Sequence, residues 1–389
     1  ERAKPRIPVW VNAFAAVVFL YLFLCALKIM SAGLKVLTTD PAAQERIHNA
    51  LSHATNPFIA LTAAVLVTAI VQSSSFTTSL IITLVGSGQF DIETGVFMVM
   101  GANIGTSVTS TIAALGSLRI QRQFRRAFAA AIVHDFFNLL TVAVLFPLEW
   151  GLKALTGAGP IARLAGFAAS RLGLPTTGEG ADPVKAICAP AIDATEWVIR
   201  LVGLGTPAGS VSVAGGIVMA CIGVVLLLIS LALMVSNLKG ALLTRLEGMF
   251  SKVFFRNDAI AYATGAITTI LVQSSSITTS LVVPLAGAGT IKLKRVFPFV
   301  LGANLGTTVT GLMAAAAVLN PAAVTVALAH TFFNIIGAAI WYPLRWVPIT
   351  LAKQYALLAA RKKRYALYYL LAVFIVIPGV GFAITEWLV

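Results

Sequence analysis

Charge is what this chain has least of: Asp, Glu, Lys and Arg together make up 11% of its 389 residues. A water-soluble domain with an ordinary charged surface is thereby excluded, because 58% of the residues are hydrophobic and the mean hydropathy is +0.92. Cysteine is scarce too. Cys25 and Cys221 fall inside apolar runs and Cys188 in a polar segment, which excludes a disulfide framework. No nucleophile–base or metal-ligand cluster is apparent among the few titratable residues, so no enzyme activity is expected. The net charge of +14 does not mark a nucleic-acid binder, since the basic residues come in short clusters between apolar runs instead of along one face. No cleavable signal peptide stands out, the first apolar run near 9–30 being long and without an obvious processing site. Apolar runs long enough to cross a bilayer recur from end to end, so the expected class is an integral membrane protein.

Against that background the polar stretches are conspicuous, and they come in pairs. VQSSSFTTSL at 71–80 returns as VQSSSITTSL at 272–281, and GANIGTSVT at 101–109 returns as GANLGTTVT at 302–310, both shifted by 201 positions. HDFFN at 134–138 matches HTFFN at 330–334, and FPLEW at 146–150 matches YPLRW at 342–346, with a shift of 196. The chain is therefore an internal repeat with a short deletion in one loop of the second copy.

Charge in matched loops orients the copies. Asp91 and Glu93 correspond to Lys292 and Lys294, whereas the loop with Arg119, Arg122, Arg125 and Arg126 corresponds to the uncharged LNPAAV near 319. The loop with Asp40, Glu45 and Arg46 likewise faces a counterpart with Lys239, Arg245, Lys252 and Arg256. Because Lys and Arg mark cytoplasmic loops, the copies are expected to run in opposite directions across the membrane.

The expected fold is an all-α integral membrane protein of two inverted-topology repeats, each with a re-entrant hairpin and a broken transmembrane helix. Residues 1–150 form the first repeat, with crossings at 9–30 and 125–148, a hairpin at 57–88 and a broken helix at 95–116. Residues 151–210 form an external linker, and 211–346 the second repeat, with crossings at 211–235 and 323–346, a hairpin at 258–289 and a broken helix at 296–317. Residues 347–389 hold a cytoplasmic basic loop, Arg361 to Arg364, and a final helix at 366–388. The basic loop reads as a topology determinant with lipid phosphate contacts. The hairpins follow from length: residues 57–88 must leave one face and return to it, and two full crossings need about 40 residues. The broken helices follow from two glycines and several hydroxyl groups within each GAN-x-G-T segment.

Non-helical backbone at membrane depth is tolerated only where protein or a water-filled cavity satisfies it, so the two hairpin tips and two breaks should meet in one polar pocket. Gln72, Ser73, Ser74 and Ser75, with Gln273, Ser274, Ser275 and Ser276, offer hydroxyl and amide donors beside helix N-termini, which suits an oxyanion. The same oxygens, with Thr106, Thr109, Thr307 and Thr310, suit a hard cation. Neither motif contains Lys or Arg, so an anion placed there needs co-bound positive charge, which sodium would supply. Asp135, nine residues past Arg126, falls near mid-bilayer and is a candidate cation ligand. Asn103, Thr106 and Asn304 belong to the broken segments. Asn138 and Asn334 could satisfy interrupted backbone, and Asn138 could equally ligate sodium. His134 and His330 read as structural hydrogen-bonding residues. Ser, Thr and Gly in membrane helices are often only packing positions, but duplication at matched places favours a shared site.

The stretches LVTAIVQSSS, GANIGTSVTSTIAAL, FRRAFAAAIVHDFFN and FPLEW in the first copy, with LVQSSSITTS, GANLGTTVTG and HTFFN in the second, resemble the type II sodium-phosphate cotransporter family. The resemblance covers most of the chain outside 151–210. It implies sodium-driven uptake of inorganic phosphate through an elevator-like or rocking alternating-access cycle. It further implies that Gln72, Ser73, Ser74 and Ser75, with Ser275 and Ser276, bind phosphate, while Gln273, Ser274, Thr307 and Thr310 build a sodium site. Ala129, Ala131 and Asp135 resemble the triplet of members that carry an additional sodium and move net charge, with Asn138 in the neighbouring site. Ser117, Ile120 and Ala303 depart from the ligands of many animal members. The short linker without paired cysteines suggests a bacterial protein of an inner membrane. The implied partners are phosphate, co-transported sodium and membrane lipids, with no organic cofactor, and a homodimer stays open. A carrier of sulfate or a dicarboxylate is the alternative, followed by a channel or a membrane scaffold.

Overall fold

A computed structural model of the chain describes residues 9–41, 45, 56–172, 182–207, 209–250 and 255–388. Arg46 and Lys252 of the loop-charge pattern lie outside these residues. The described residues are almost wholly helical and contain no β-strand, only a single bridge between Gly205 and Val211. Seven segments among them are long and apolar enough to cross a membrane: Phe14–Thr39, Ile92–Leu115, Gln121–Thr156, Val213–Asn237, Leu293–Val318, Pro321–Trp341 and Arg364–Gly381. These coincide with the seven crossings expected from the sequence.

The first copy of the repeat runs through α1 (Val9–Thr39), α2 (Pro57–Val71), α3 (Ser74–Gly86), α4 (Ile92–Gly105), α5 (Val108–Leu115) and α6 (Gln121–Thr156). The segment between the copies carries α7 (Pro160–Arg171) and α8 (Pro183–Ile199). The second copy has α9 (Val213–Phe250), α10 (Asp258–Val272), α11 (Ser275–Ala288), α12 (Leu293–Val318) and α13 (Pro321–Trp341), followed by α14 (Trp346–Arg361), α15 (Arg364–Leu371) and α16 (Ile377–Leu388).

Local chemistry explains the hairpin boundaries. Asn56 starts α2, its side chain accepting from the Phe58 amide at 2.9 Å with Pro57 in the first turn, and Asn257 starts α10 by accepting from the Ile260 amide at 2.8 Å. Each arm is 13 to 15 residues, about 20 Å at ~1.5 Å per residue, which is shorter than the ~30 Å hydrocarbon core.

The copies are interlocked in their packing. The returning arm α3 lies on α12 and α13, and the returning arm α11 lies on α5 and α6. Two mixed cores result. In one, Phe124, Phe128 and Phe137 of α6 pack with Val282, Val283, Phe297 and Phe299; in the other, Phe76, Ile81 and Val85 of α3 pack with Ala314, Ala317 and Val326. The segment between the copies is folded onto the body. The buried Glu149 carboxylate of α6 accepts from the Ile161 and Ala162 amides at 2.8 and 2.9 Å, which holds the first turn of α7. Lys28 of α1 pairs with Asp182, which caps α8.

One expectation is corrected. The 95–116 segment is interrupted at Thr106 and Ser107, between α4 and α5, but 296–317 is not broken: α12 is continuous from Leu293 to Val318. The difference follows from donors outside the helix. Asn138 Nδ2 donates to the Asn103 carbonyl at 2.7 Å and Ser276 Oγ to the Thr106 carbonyl at 3.2 Å, so carbonyls around the first break are held from outside. In the second copy the matching side chains turn elsewhere, Asn334 Nδ2 to the His330 carbonyl and Ser75 Oγ to the Gln273 carbonyl. Without outside donors the helical ladder persists.

The glycines of GAN-x-G-T serve close packing in both copies. A Cβ on Gly101 would fall 2.0 Å from the Leu61 carbonyl oxygen, and one on Gly302 would fall 1.9 Å from that of Tyr262. Their absence lets α4 and α12 lie backbone to backbone against the outgoing arms α2 and α10.

Candidate functional site

Both hairpins turn at their glutamine. Gln72 and Gln273 adopt left-handed backbone, each with φ of 57°, and end α2 and α10. A glutamine has no intrinsic preference for that region, and strain of this kind concentrates at functional positions. The next residue reopens a helix: Ser73 Oγ accepts from the Phe76 amide at 3.2 Å, and Ser274 Oγ accepts from the Ile277 amide at 3.3 Å. Serine is a favoured N-cap because its oxygen replaces a missing carbonyl. The remaining first-turn amides of α3 and α11 have no intrahelical acceptor and carry the positive end of the helix dipole.

The tips meet. Ser75 Oγ donates to the Gln273 carbonyl at 3.0 Å, joining one tip directly to the other, and Thr310 Oγ1 donates to Gln273 Oε1 at 2.7 Å. Between them lies a cavity of about 270 Å³ lined by Gln72, Ser73, Gln273, Ser274, Ser276 and Thr109, with α9 residues Leu228, Leu231 and Val235 as an apolar wall. No ionisable side chain lines it. Ser275 is buried and its hydroxyl has no partner, as is the Thr109 hydroxyl. Such a cavity offers hydrogen-bond donors and acceptors without a fixed charge among the described residues.

Other expected site residues gather in two neighbouring places. A buried chain runs across the copies: His134 Nε2 donates to Asn304 Oδ1 at 2.6 Å, Asn304 Nδ2 to Asn138 Oδ1 at 2.8 Å, and Asn138 Nδ2 to the Asn103 carbonyl. His134 is thus hydrogen-bonded as expected, whereas no hydrogen bond of the His330 ring is seen among the described residues, and Asn138 donates to the Asn103 carbonyl beside the break. The matched second chain is not formed, since Asn103 Nδ2 turns to the Val99 carbonyl while Asn334 Oδ1 and His330 Nδ1 lack partners.

Asp135 is buried on α6. Its Oδ2 accepts from Thr111 Oγ1 at 3.3 Å, the Ser107 and Tyr369 hydroxyls lie beside it, and its Oδ1 has no partner. Asp135 is absent from the lining of the tip cavity, so the two are separate places. Thr307 also stays out of it, with Oγ1 bonded back to the Ala303 carbonyl, as does Thr106, whose carbonyl accepts from Ser276 Oγ. Ser74 is buried at the α3 start without lining the cavity. Sequence reasoning missed Ser107, Thr111 and Tyr369 around Asp135. The hydroxyls of Ser107 and Thr111 stand in the TSVTST stretch at 106–111, but Tyr369 comes from the last segment and carries no sequence signal.

The family profile described as Na+/Pi-cotransporter matches residues 22–169 and 226–347, which hold both hairpins and both GAN-x-G-T segments. The chain belongs to the Na+/Pi-cotransporter family. Within that family it is similar to the rat sodium-dependent phosphate transport protein 2A, with 32% identity over 431 residues that cover 94% of this chain and 66% of the rat protein. The human sodium-dependent phosphate transport protein 2B is 30% identical over 444 residues, covering 94% of this chain and 64% of that protein. The chain therefore spans just under two thirds of the length of these cotransporters. No solved structure matches it significantly.

Proposed function

We propose that this member of the Na+/Pi-cotransporter family is a multi-pass membrane symporter that imports inorganic phosphate with sodium. One observation carries the reading: the two copies of QSSS close on a single cavity without ionisable lining. An anion of one or two charges is strongly penalised there unless cations enter with it, which makes coupling a consequence of electrostatics. Phosphate would take the Gln72, Ser73, Ser74, Ser75, Ser275 and Ser276 groups and the open amides of α3 and α11. Gln273, Ser274, Thr307 and Thr310 would supply sodium ligands. The names of the rat and human relatives support phosphate as substrate and sodium as driver.

In this reading the hairpins enter the bilayer from opposite faces and do not cross it, and the copies are inverted. The host membrane is a bacterial inner membrane. The unequal hydrogen bonds of the two copies then represent one of two alternating states. The His134–Asn304–Asn138–Asn103 chain, which joins the copies, and the α4–α5 break of the first copy would be exchanged for their repeat-related counterparts when access reverses. Asp135, with Thr111 and Ser107 around it, holds a further sodium and makes the cycle electrogenic.

The test is radiolabelled phosphate uptake into proteoliposomes under an inward sodium gradient. Gln72→Ala and Ser276→Ala, both on the cavity lining, should each lower uptake at least about tenfold, the effect of losing a hydrogen bond to a charged group. Arsenate should compete, and sulfate and succinate should not. Unchanged uptake in both variants refutes the site, inhibition by sulfate but not arsenate refutes the substrate, and flux without a sodium requirement refutes symport.

A further inference from the structure

Away from the tip cavity, the far end of the second hairpin borders a larger cavity of about 610 Å³. Five basic side chains surround it: Arg125 and Arg126 from the start of α6, Lys292 and Lys294 from the start of α12, and Lys353 from α14. Their match in the other half of the chain is not basic, since Asp91 and Glu93 stand where Lys292 and Lys294 do. Among the described residues, none of the five is in an ion pair; the ion pairs present are those of Lys28, Arg200, Arg295 and Arg345. Five like charges around one cavity repel one another, and an anion seated among them removes that repulsion.

Gly289, in left-handed backbone with φ of +84°, stands at the rim beside the Arg126 guanidinium, and a Cβ there would lie 2.3 Å from Arg126 Nη1 and push that side chain aside. The floor is apolar, made by Ala286, Ile291, Leu293 and Leu357. A free inorganic anion would need a cage of donors on several sides, whereas a basic rim over an apolar floor at the ends of two membrane spans fits an amphiphile. We propose that this cavity binds an anionic phospholipid, its phosphate among Arg125, Arg126, Lys292, Lys294 and Lys353 and the first methylenes of its chains on the floor. The site is distinct from the Arg361–Arg364 run, which is not part of its lining.

Native mass spectrometry of the purified full-length chain tests it, with phosphatidylglycerol as the probe and phosphatidylcholine as neutral comparator. The unaltered protein should retain phosphatidylglycerol selectively. Arg126→Gln/Lys294→Gln should weaken that binding on the order of thirtyfold, given the typical contribution of a basic residue near an anionic surface. Arg171→Gln/Lys185→Gln, which removes the same charge at exposed positions away from the cavity, should weaken it less than about threefold. If the first variant does not purify, Lys292→Gln/Lys353→Gln, both at exposed positions, replaces it with the same expectation. Equal weakening by the pocket and control variants would reduce the effect to diffuse charge, and no weakening by the pocket variant would remove the site. Displacement of phosphatidylglycerol by millimolar inorganic phosphate would make it a free-anion site; each result overturns the proposal.

Discussion

Asp135 is buried with one carboxylate oxygen held by Thr111 and the other without a partner. A carboxylate left half-satisfied in a membrane span is expensive, and its natural relief is a cation. Asp135→Asn keeps the size and the bond from Thr111 but removes the charge. Phosphate uptake should then persist in part while losing its dependence on membrane potential, which one transported charge would otherwise bias by about 2.3 kcal/mol per 100 mV. Uptake measured under imposed potassium diffusion potentials decides it, and undiminished voltage dependence in Asp135→Asn would remove this residue from charge movement. At the same scale, the serines of QSSS were legible because they were duplicated. Tyr369 was not, because nothing in its local sequence says that the last segment folds back beside α6.

Among the elements, the outgoing arms depend on glycine. Gly302 puts α12 against the Tyr262 carbonyl, and Gly101 puts α4 against that of Leu61. Gly302→Val would force backbone apart, and overpacking typically costs 1–3 kcal/mol or more. A clear fall in the thermal unfolding midpoint is expected, together with loss of uptake, since the Gln273 tip is carried by the same arm. Gly379→Ala, with nothing within 4 Å of its added Cβ, should change neither and serves as the comparison. If Gly302→Val unfolds no earlier than Gly379→Ala, the close approach of α10 and α12 is not needed. These glycines also show why the break at 296–317 was misread. In sequence, glycine and hydroxyl residues resemble a helix breaker; in the fold, the glycines make room and the threonines bond back to their own helix, as Thr308 does to the Leu305 carbonyl at 2.7 Å.

For the whole molecule, the decisive property is the direction of each copy across the bilayer. Gln89 and Thr290 occupy matched positions just past the returning arms. With Cys25, Cys188 and Cys221 replaced, Gln89→Cys should react with a membrane-impermeant thiol reagent only from outside and Thr290→Cys only from inside. Labelling of both from one side would end the inverted arrangement and the alternating-state reading with it.

Composition and hydropathy alone determined a helical membrane protein with seven crossing segments, because a bilayer forces each crossing to be a long apolar helix and leaves little else possible. Duplication determined the pairing of the motifs, and segment length set the helix–turn–helix limits to within two residues. The tertiary structure decided which groups meet: that the tips touch through Ser75 and Gln273, that Asp135 stands apart from them, and that only one of the two GAN-x-G-T helices is interrupted. The tip contact and the interrupted helix involve hydrogen bonds between residues far apart in the chain, Ser75 to Gln273 and Ser276 to Thr106, and local sequence contains no record of which donor reaches which carbonyl.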